Sequence, residues 1–382
     1  MIRSPALLLA AFVGVVALVL HARRRGAFQA VFRFLPVPFW CYLLPMLGTT
    51  AGLFPSDAPL YGALSRYLLP FCLALLLVSA DLSAVARLGA RALGVMAFSV
   101  AGIVLGAVFG FVLFQDRLPE DAWKSVGALS GSWIGGSANM LALKEALSVP
   151  DAIFAPVIVT DTLLAYAWMA FLIAGAGFQK RFDAWNAAAV PTFGLAGVSP
   201  APTARPGFRA APLLAAIGAA GFSIFLGDRL PALGTAVTHA TWTVLIVTSL
   251  SLALSFVPAF STAGGLTEKW GATILYILLA SMGARARFTD IFQSPRFLAL
   301  GVVWLAVHGL ALLAAARFLR APLALLATAS QACVGGPVSA PIVAAVYHPS
   351  LAALGLLLAV LGNVLGSYVG FLTAHLCRWA AG

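Results

Sequence analysis

The chain has 382 residues, 62% of them hydrophobic and 9% charged, with a mean hydropathy of +1.00. A soluble domain carries roughly a quarter charged residues, so this composition excludes a water-soluble protein. The formal net charge of +11 has no basic soluble domain behind it, which excludes nucleic-acid binding and assigns the excess to cytoplasmic loops.

The apolar runs are continuous, not alternating, and suit the roughly 20 residues a bilayer core requires of a helix. The expected fold is an all-α integral membrane protein with about 10–12 transmembrane helices. In chain order, apolar segments fall near 5–21, 34–53, 60–80, 90–114, 123–148, 151–177, 210–227, 236–258, 266–283, 296–318, 322–346 and 350–378. The first is read as a retained helix. Arg23, Arg24 and Arg25 follow it directly, no small-x-small cleavage site precedes them, and they mark its cytoplasmic end. Residues 1–177 form a first half with an extra N-terminal helix. Residues 178–209, rich in Pro, Gly and basic residues, are a polar linker, and 210–382 form a second half. Cys41, Cys72, Cys333 and Cys377 lie in or beside apolar segments without metal-ligand spacing and read as small core side chains.

The fifth segment contains GSWIGGSANMLAL (131–143), with Gly135–Gly136 followed by Ser137 and Asn139. The eleventh contains ATASQACVGGPVSAP, with Gly335–Gly336 followed by Pro337 and Ser339. A shift of 200 positions lays Ser330 on Ser130 and one Gly-Gly pair on the other. Each pair precedes a short apolar half-helix and then a long helix with one polar residue, Asp161 or Asn363. This is read as two homologous halves, each with a broken helix. A break at membrane depth survives only where it is buried or lines a wet cavity. The freed half-helix ends offer amide donors and carbonyl acceptors to a ligand, and paired breaks are the best sequence pointer to a transporter site. Close packing of small residues is the competing explanation for a single pair.

Asp161 is the one charged residue between Ala152 and Gln179. A carboxylate at that depth costs a few kcal/mol unless paired, hydrated or protonated, so it is expected to bind Na⁺ or H⁺, with Thr160 and Thr162 as further oxygen ligands. Asn363 shares a face with Gly366, Ser367 and Gly370 and needs hydrogen-bond partners, for which Ser330, Gln331 and Ser339 are candidates. His308 reads as an interhelical hydrogen-bonding group. Asp81 reads as closing a helix near water, and Lys144 and Glu145 as a pair or as snorkelling to the interface. HExxH, a paired intramembrane aspartate, GxxxxGK[ST] and a Cys/His cluster are all missing, which argues against ATP-driven and protease mechanisms.

GSWIGGSANMLAL, TDTLLAYAW (160–168), LLPFCLALLLVSADLSAVARLGARAL (68–93) and LGNVLGSYVGFLTA (361–374) together resemble the YjcL-like group of bacterial and plastid membrane proteins, domain of unknown function 819, over nearly the whole chain. More distantly the chain is similar to the cation–proton antiporter and anion transporter superfamily. That resemblance implies panel and core domains, two crossing broken helices at Gly135–Gly136 and Gly335–Gly336, Asp161 at the coupling position, elevator-like movement, inverted repeats and a homodimer. Six spans separate the two breaks in the segment list above, which would make the halves parallel, and the basic loops at 81–91 and 283–296 both read as cytoplasmic. The expected function is a Na⁺- or H⁺-coupled secondary transporter of a small organic or anionic solute in the bacterial cytoplasmic membrane. Solute and lipid are its partners, and no cofactor beyond the coupling ion is implied. The site would comprise Ser130, Gly135, Gly136, Ser137, Asn139, Thr160, Asp161, Thr162, Ser330, Gln331, Gly335, Gly336, Ser339 and Asn363. A passive channel or a membrane sensor is the alternative, and an enzyme the least favoured.

Overall fold

A computed structural model describes residues 2–25, 32, 35–78, 80, 82–86, 88–188, 210–233, 237–257, 260, 266–348 and 351–381. Asp81, Pro349 and the linker from residue 189 onward lie outside the described residues. The fold is all-helical. Helix α1 covers Pro5–Arg24, α2 Val37–Thr50 and α3 Pro59–Val78, the last with a π-turn at Leu64–Leu68. Then come α4 (Ala90–Phe114), α5 (Ala122–Gly135), α6 (Ser137–Ala146) and α7 (Asp151–Gly175). Beyond the linker are α8 (Ala210–Gly227), α9 (His239–Ser255), α10 (Leu266–Gly283), α11 (Ser294–Leu319), α12 (Leu323–Val334), α13 (Gly336–Tyr347) and α14 (Ala352–Ala380). Among the described residues seven helices are long and apolar enough to cross a membrane, and the four cysteines are buried and free.

Both glycine pairs break their helices, as their sequence suggested, but the halves fold back instead of crossing. Gly136 has φ 80° and ψ 176°, a region open only to glycine, and Gly336 has φ 71°. A methyl placed on Gly131 would lie 3.4 Å from the carbonyl oxygen of Asn139 and against the Leu143 side chain. Eight residues along a straight helix is about 12 Å, so α5 and α6 are the two arms of a hairpin. The second pair does the same: Gln331 Nε2 donates to Ser339 Oγ at 2.8 Å across the turn between α12 and α13. The expectation of two crossing broken helices is thereby corrected to two re-entrant hairpins. The reason is local, since at each turn a glycine takes up a backbone angle that reverses the chain.

The ends of the helices sort onto two faces. On one, Arg285 meets Asp151, Arg66 meets Asp228, Thr238 and Thr241 donate to Ala146 O, and Arg378 lies over Trp123. On the other, Leu323 N donates to Asp183, Asn186 to the carbonyls of Ala316 and Ala321, and Tyr347 to Leu172 O. We call these the Asp151 face and the Arg24 face. The α5–α6 hairpin starts and ends on the Asp151 face, the α12–α13 hairpin on the Arg24 face, and α7 to α11 make five passes between them.

Packing divides the helices into two groups. One holds α4 to α7 and α11 to α14. The other holds α1, α2, α3, α8, α9 and α10. Neither is a contiguous half of the chain. Within the first group α14 runs between the hairpins. Its Gly362, Gly366 and Gly370 meet α5 and α6, and its Gly355 meets the Ala340 carbonyl of α13. Helices α4 and α11 close together the same way, through Gly102 and Gly106 against His308 and Trp304.

Candidate functional site

The turn of the α5–α6 hairpin sits at the middle of α14. Gly135 lies against the Gly362 carbonyl and the Gly366 Cα, and Gly136 looks at Asn363, whose Oδ1 would be 3.7 Å from a methyl placed there. Asn139 ties this turn down. Its Nδ2 donates to the carbonyls of Gly135 (2.7 Å) and Asn363 (3.2 Å), and its Oδ1 accepts from Ser367. Asn139 therefore serves as a staple between hairpin and helix, with both of its Nδ2 protons used inside the protein. Asn139→Ala would leave the Gly135 carbonyl and the Ser367 hydroxyl with lost partners in a buried place, at about 1–3 kcal/mol. A clear fall in melting temperature of the purified protein should follow.

One turn before the break, Ser132 Oγ donates to Asp161 Oδ1 at 3.0 Å. Asp161 is half-buried near the middle of α7 and is turned toward the hairpin. Ser132 was not among the residues singled out from the sequence. Its signal was its place beside the Gly-Gly pair, four residues before Gly136, where a side chain from a second helix can reach it. Ser137 and Asn363 are half-buried at the same turn. The amides of Asn139 and Met140 bond back to Gly136 O, so the first amides of α6 are the free helix start.

Other expected residues are placed differently. Thr160 donates to Pro156 O at 2.9 Å within α7, and its methyl faces Gly301 of α11, so its hydroxyl is not shared with Asp161. The physical reason is that adjacent helical residues diverge by about 100°. Thr162 is buried. Ser330 is drawn into another network: Trp168 Nε1 donates to Ser330 Oγ at 2.8 Å, and His308 Nε2 lies 2.9 Å from the same oxygen. His308 Nδ1 faces the Ser99 carbonyl at 3.1 Å. A carbonyl only accepts, so Nδ1 carries the proton and Nε2 accepts from the Ser330 hydroxyl. His308 is thus a satisfied interhelical link.

Gln331 and Ser339 pair with each other at the second hairpin, beside Gly335 and Gly336, and not with Asn363. Gln331 Oε1 and Ser130 Oγ are buried without hydrogen-bond partners. The structure therefore brings Asp161, Ser137 and Asn363 to the first turn, with Ser132. It puts Gln331 and Ser339 at the second, and separates Ser330 and Thr160 from both.

These features define an integral membrane protein with two re-entrant hairpins on a shared central helix. The model of the family "Protein of unknown function (DUF819)" matches residues 8–379, and the chain belongs to that family. It is also similar to the "Uncharacterized membrane protein YjcL" of Bacillus subtilis (strain 168), 26% identical over 339 residues that cover 85% of each chain.

Proposed function

We propose that the protein is a cation-coupled secondary transporter of a small organic or anionic solute. Its binding site lies at the hairpin turns, and the hairpin-bearing group moves against the α1–α3, α8–α10 group. The observation that carries this is Asp161, a membrane-depth carboxylate held by Ser132 one turn from a non-helical glycine break. The carboxylate suits Na⁺ or H⁺, and the start of α6, with its free amides and partial positive charge, suits the negative or polar end of a solute.

Two homologous, inverted halves fit the same reading. Five passes separate the hairpins, and an odd number turns one half over relative to the other. The parity conflict in the sequence disappears once neither hairpin is counted as a span. Orientation follows from charge. The Arg24 face carries Arg23–Arg25, Arg91, Lys180, Arg181, Lys269, Arg317 and Arg320 against the acid Asp183 among the residues whose side chains are described. Every side-chain ion pair among the described residues lies on the Asp151 face. The uncompensated basic face is the cytoplasmic one in a bacterial inner membrane, and the loop around Arg285 is external.

The test is thermal stability of the purified protein across Na⁺ concentration, pH and a panel of small organic anions. A ligand at 100 times its Kd stabilises the folded state by about 2.7 kcal/mol. A cation that raises the melting temperature, and a solute whose effect depends on that cation, are expected. Indifference to every cation and proton concentration would remove the coupling, and saturation-free flux in liposomes would make the protein a channel.

A further inference from the structure

The two helix groups are joined by polar contacts in an uneven way. Among the described residues, the side-chain hydrogen bonds and ion pairs that cross between them gather on the Asp151 face. Ser249 with Tyr368, at 2.7 Å near mid-depth, is the exception. The centre of the gathering is a four-charge cluster. Lys144 and Glu145 end α6, Asp151 starts α7, and Arg285 follows α10. Arg285 Nε lies 2.9 Å from Asp151 Oδ2, and its Nη1 lies 3.5 Å from Glu145 Oε1. Ser65, in the π-turn of α3, donates to Glu145 Oε1 at 3.1 Å. Thr238 and Thr241, the capping pair at the start of α9, donate to Ala146 O.

The allocation of charge matters. Lys144 is 2% exposed and satisfied inside its own group, by Asp151 at 2.8 Å, with Phe154 beneath it. If the groups part, Lys144 keeps its partner. Arg285 is the cluster's one cation from the other group, and at 26% side-chain exposure it can be rehydrated. The cluster can therefore open without stranding a buried charge, whereas a pair buried on both sides could not.

We infer that this cluster is a latch: it holds the hairpin group against the scaffold on the Asp151 face, and its release opens the α5–α6 turn to that face. The inference rests on the sliding motion proposed above. Its test uses no solute, so a failed latch and a failed transport assignment give separate results.

The reporter is Ala138→Cys, half-buried at the hairpin turn, in a protein whose own four cysteines are buried. A charged, membrane-impermeant maleimide is applied to reconstituted protein from one face at a time. Arg285→Gln is expected to speed labelling from the Asp151 face about five- to tenfold and to slow it from the Arg24 face. Glu145→Gln should do the same. The double variant should exceed the larger single effect by little, because both changes open one network. Ser65→Ala, a milder change, keeps the test alive if a charge variant fails to fold, and should act in the same direction by about twofold. Faster labelling from both faces would mean general loosening and would overturn the latch, as would unchanged rates or independent effects of Arg285→Gln and Glu145→Gln.

Discussion

Asp161→Asn is expected to abolish cation dependence while leaving the fold intact. The amide has the shape of the carboxylate, and its oxygen can still accept from Ser132 Oγ. It cannot carry the charge that a bound Na⁺ neutralises, and it cannot take up a transported proton. Removing a charge from membrane depth also lifts a cost of a few kcal/mol, so stability without added cation should be equal to wild type or higher. The cation-induced rise in melting temperature should vanish. Coupled uptake in proteoliposomes should fall by about 100-fold, the factor that roughly 2.7 kcal/mol of lost interaction represents. Ser132→Ala should fall between the two proteins, since it weakens the placement of the carboxylate but keeps its charge. Cation-driven uptake at the wild-type rate in Asp161→Asn would refute the assignment of Asp161.

The same residues show what could be read from the chain and what could not. The glycine pairs and the isolated aspartate are local anomalies in greasy surroundings, and both announced themselves. The fold-back did not. The stretch 122–146 has the length of a single crossing, about 37 Å as a straight helix, and two short arms have the same composition. The approach of Gly131 to Asn139 and Leu143 separates the cases. The basic loop at 283–296 reads differently once the chain is folded. Arg285 is compensated by Glu145 and Asp151, far away in sequence, and counting charges loop by loop cannot see partners that only folding supplies. The bare face of α14 was legible as a site of close approach. That Asn139 would bond to the main-chain carbonyl of Asn363, with Ser330, Gln331 and Ser339 engaged elsewhere, was not, because it depends on which hairpin turn reaches the middle of that helix.

Gly362→Ala is expected to be among the most damaging single substitutions in the protein. A methyl at Gly362 would collide with the Ile134 carbonyl oxygen. That atom belongs to the last turn of α5, just before the break, so it cannot swing aside as a side-chain tip would. Relief requires the hairpin to move off α14, and with it the Gly135–Gly366 contact and the bonds of Asn139. Overpacking a fitted core costs about 1–3 kcal/mol and sometimes more. Here the loss of the Asn139 bonds adds to it, so loss of a monodisperse protein peak or a drop of many degrees in melting temperature is expected. Gly218→Ala is the matched control, because nothing lies within 4 Å of a methyl on that α8 glycine. The same change there should leave the melting temperature unchanged or slightly raised, as alanine favours the helix by up to about 1 kcal/mol. If Gly362→Ala melts like Gly218→Ala, the hairpin does not rest on α14 as described. The placement of Asp161 beside a fixed turn would then lose its support.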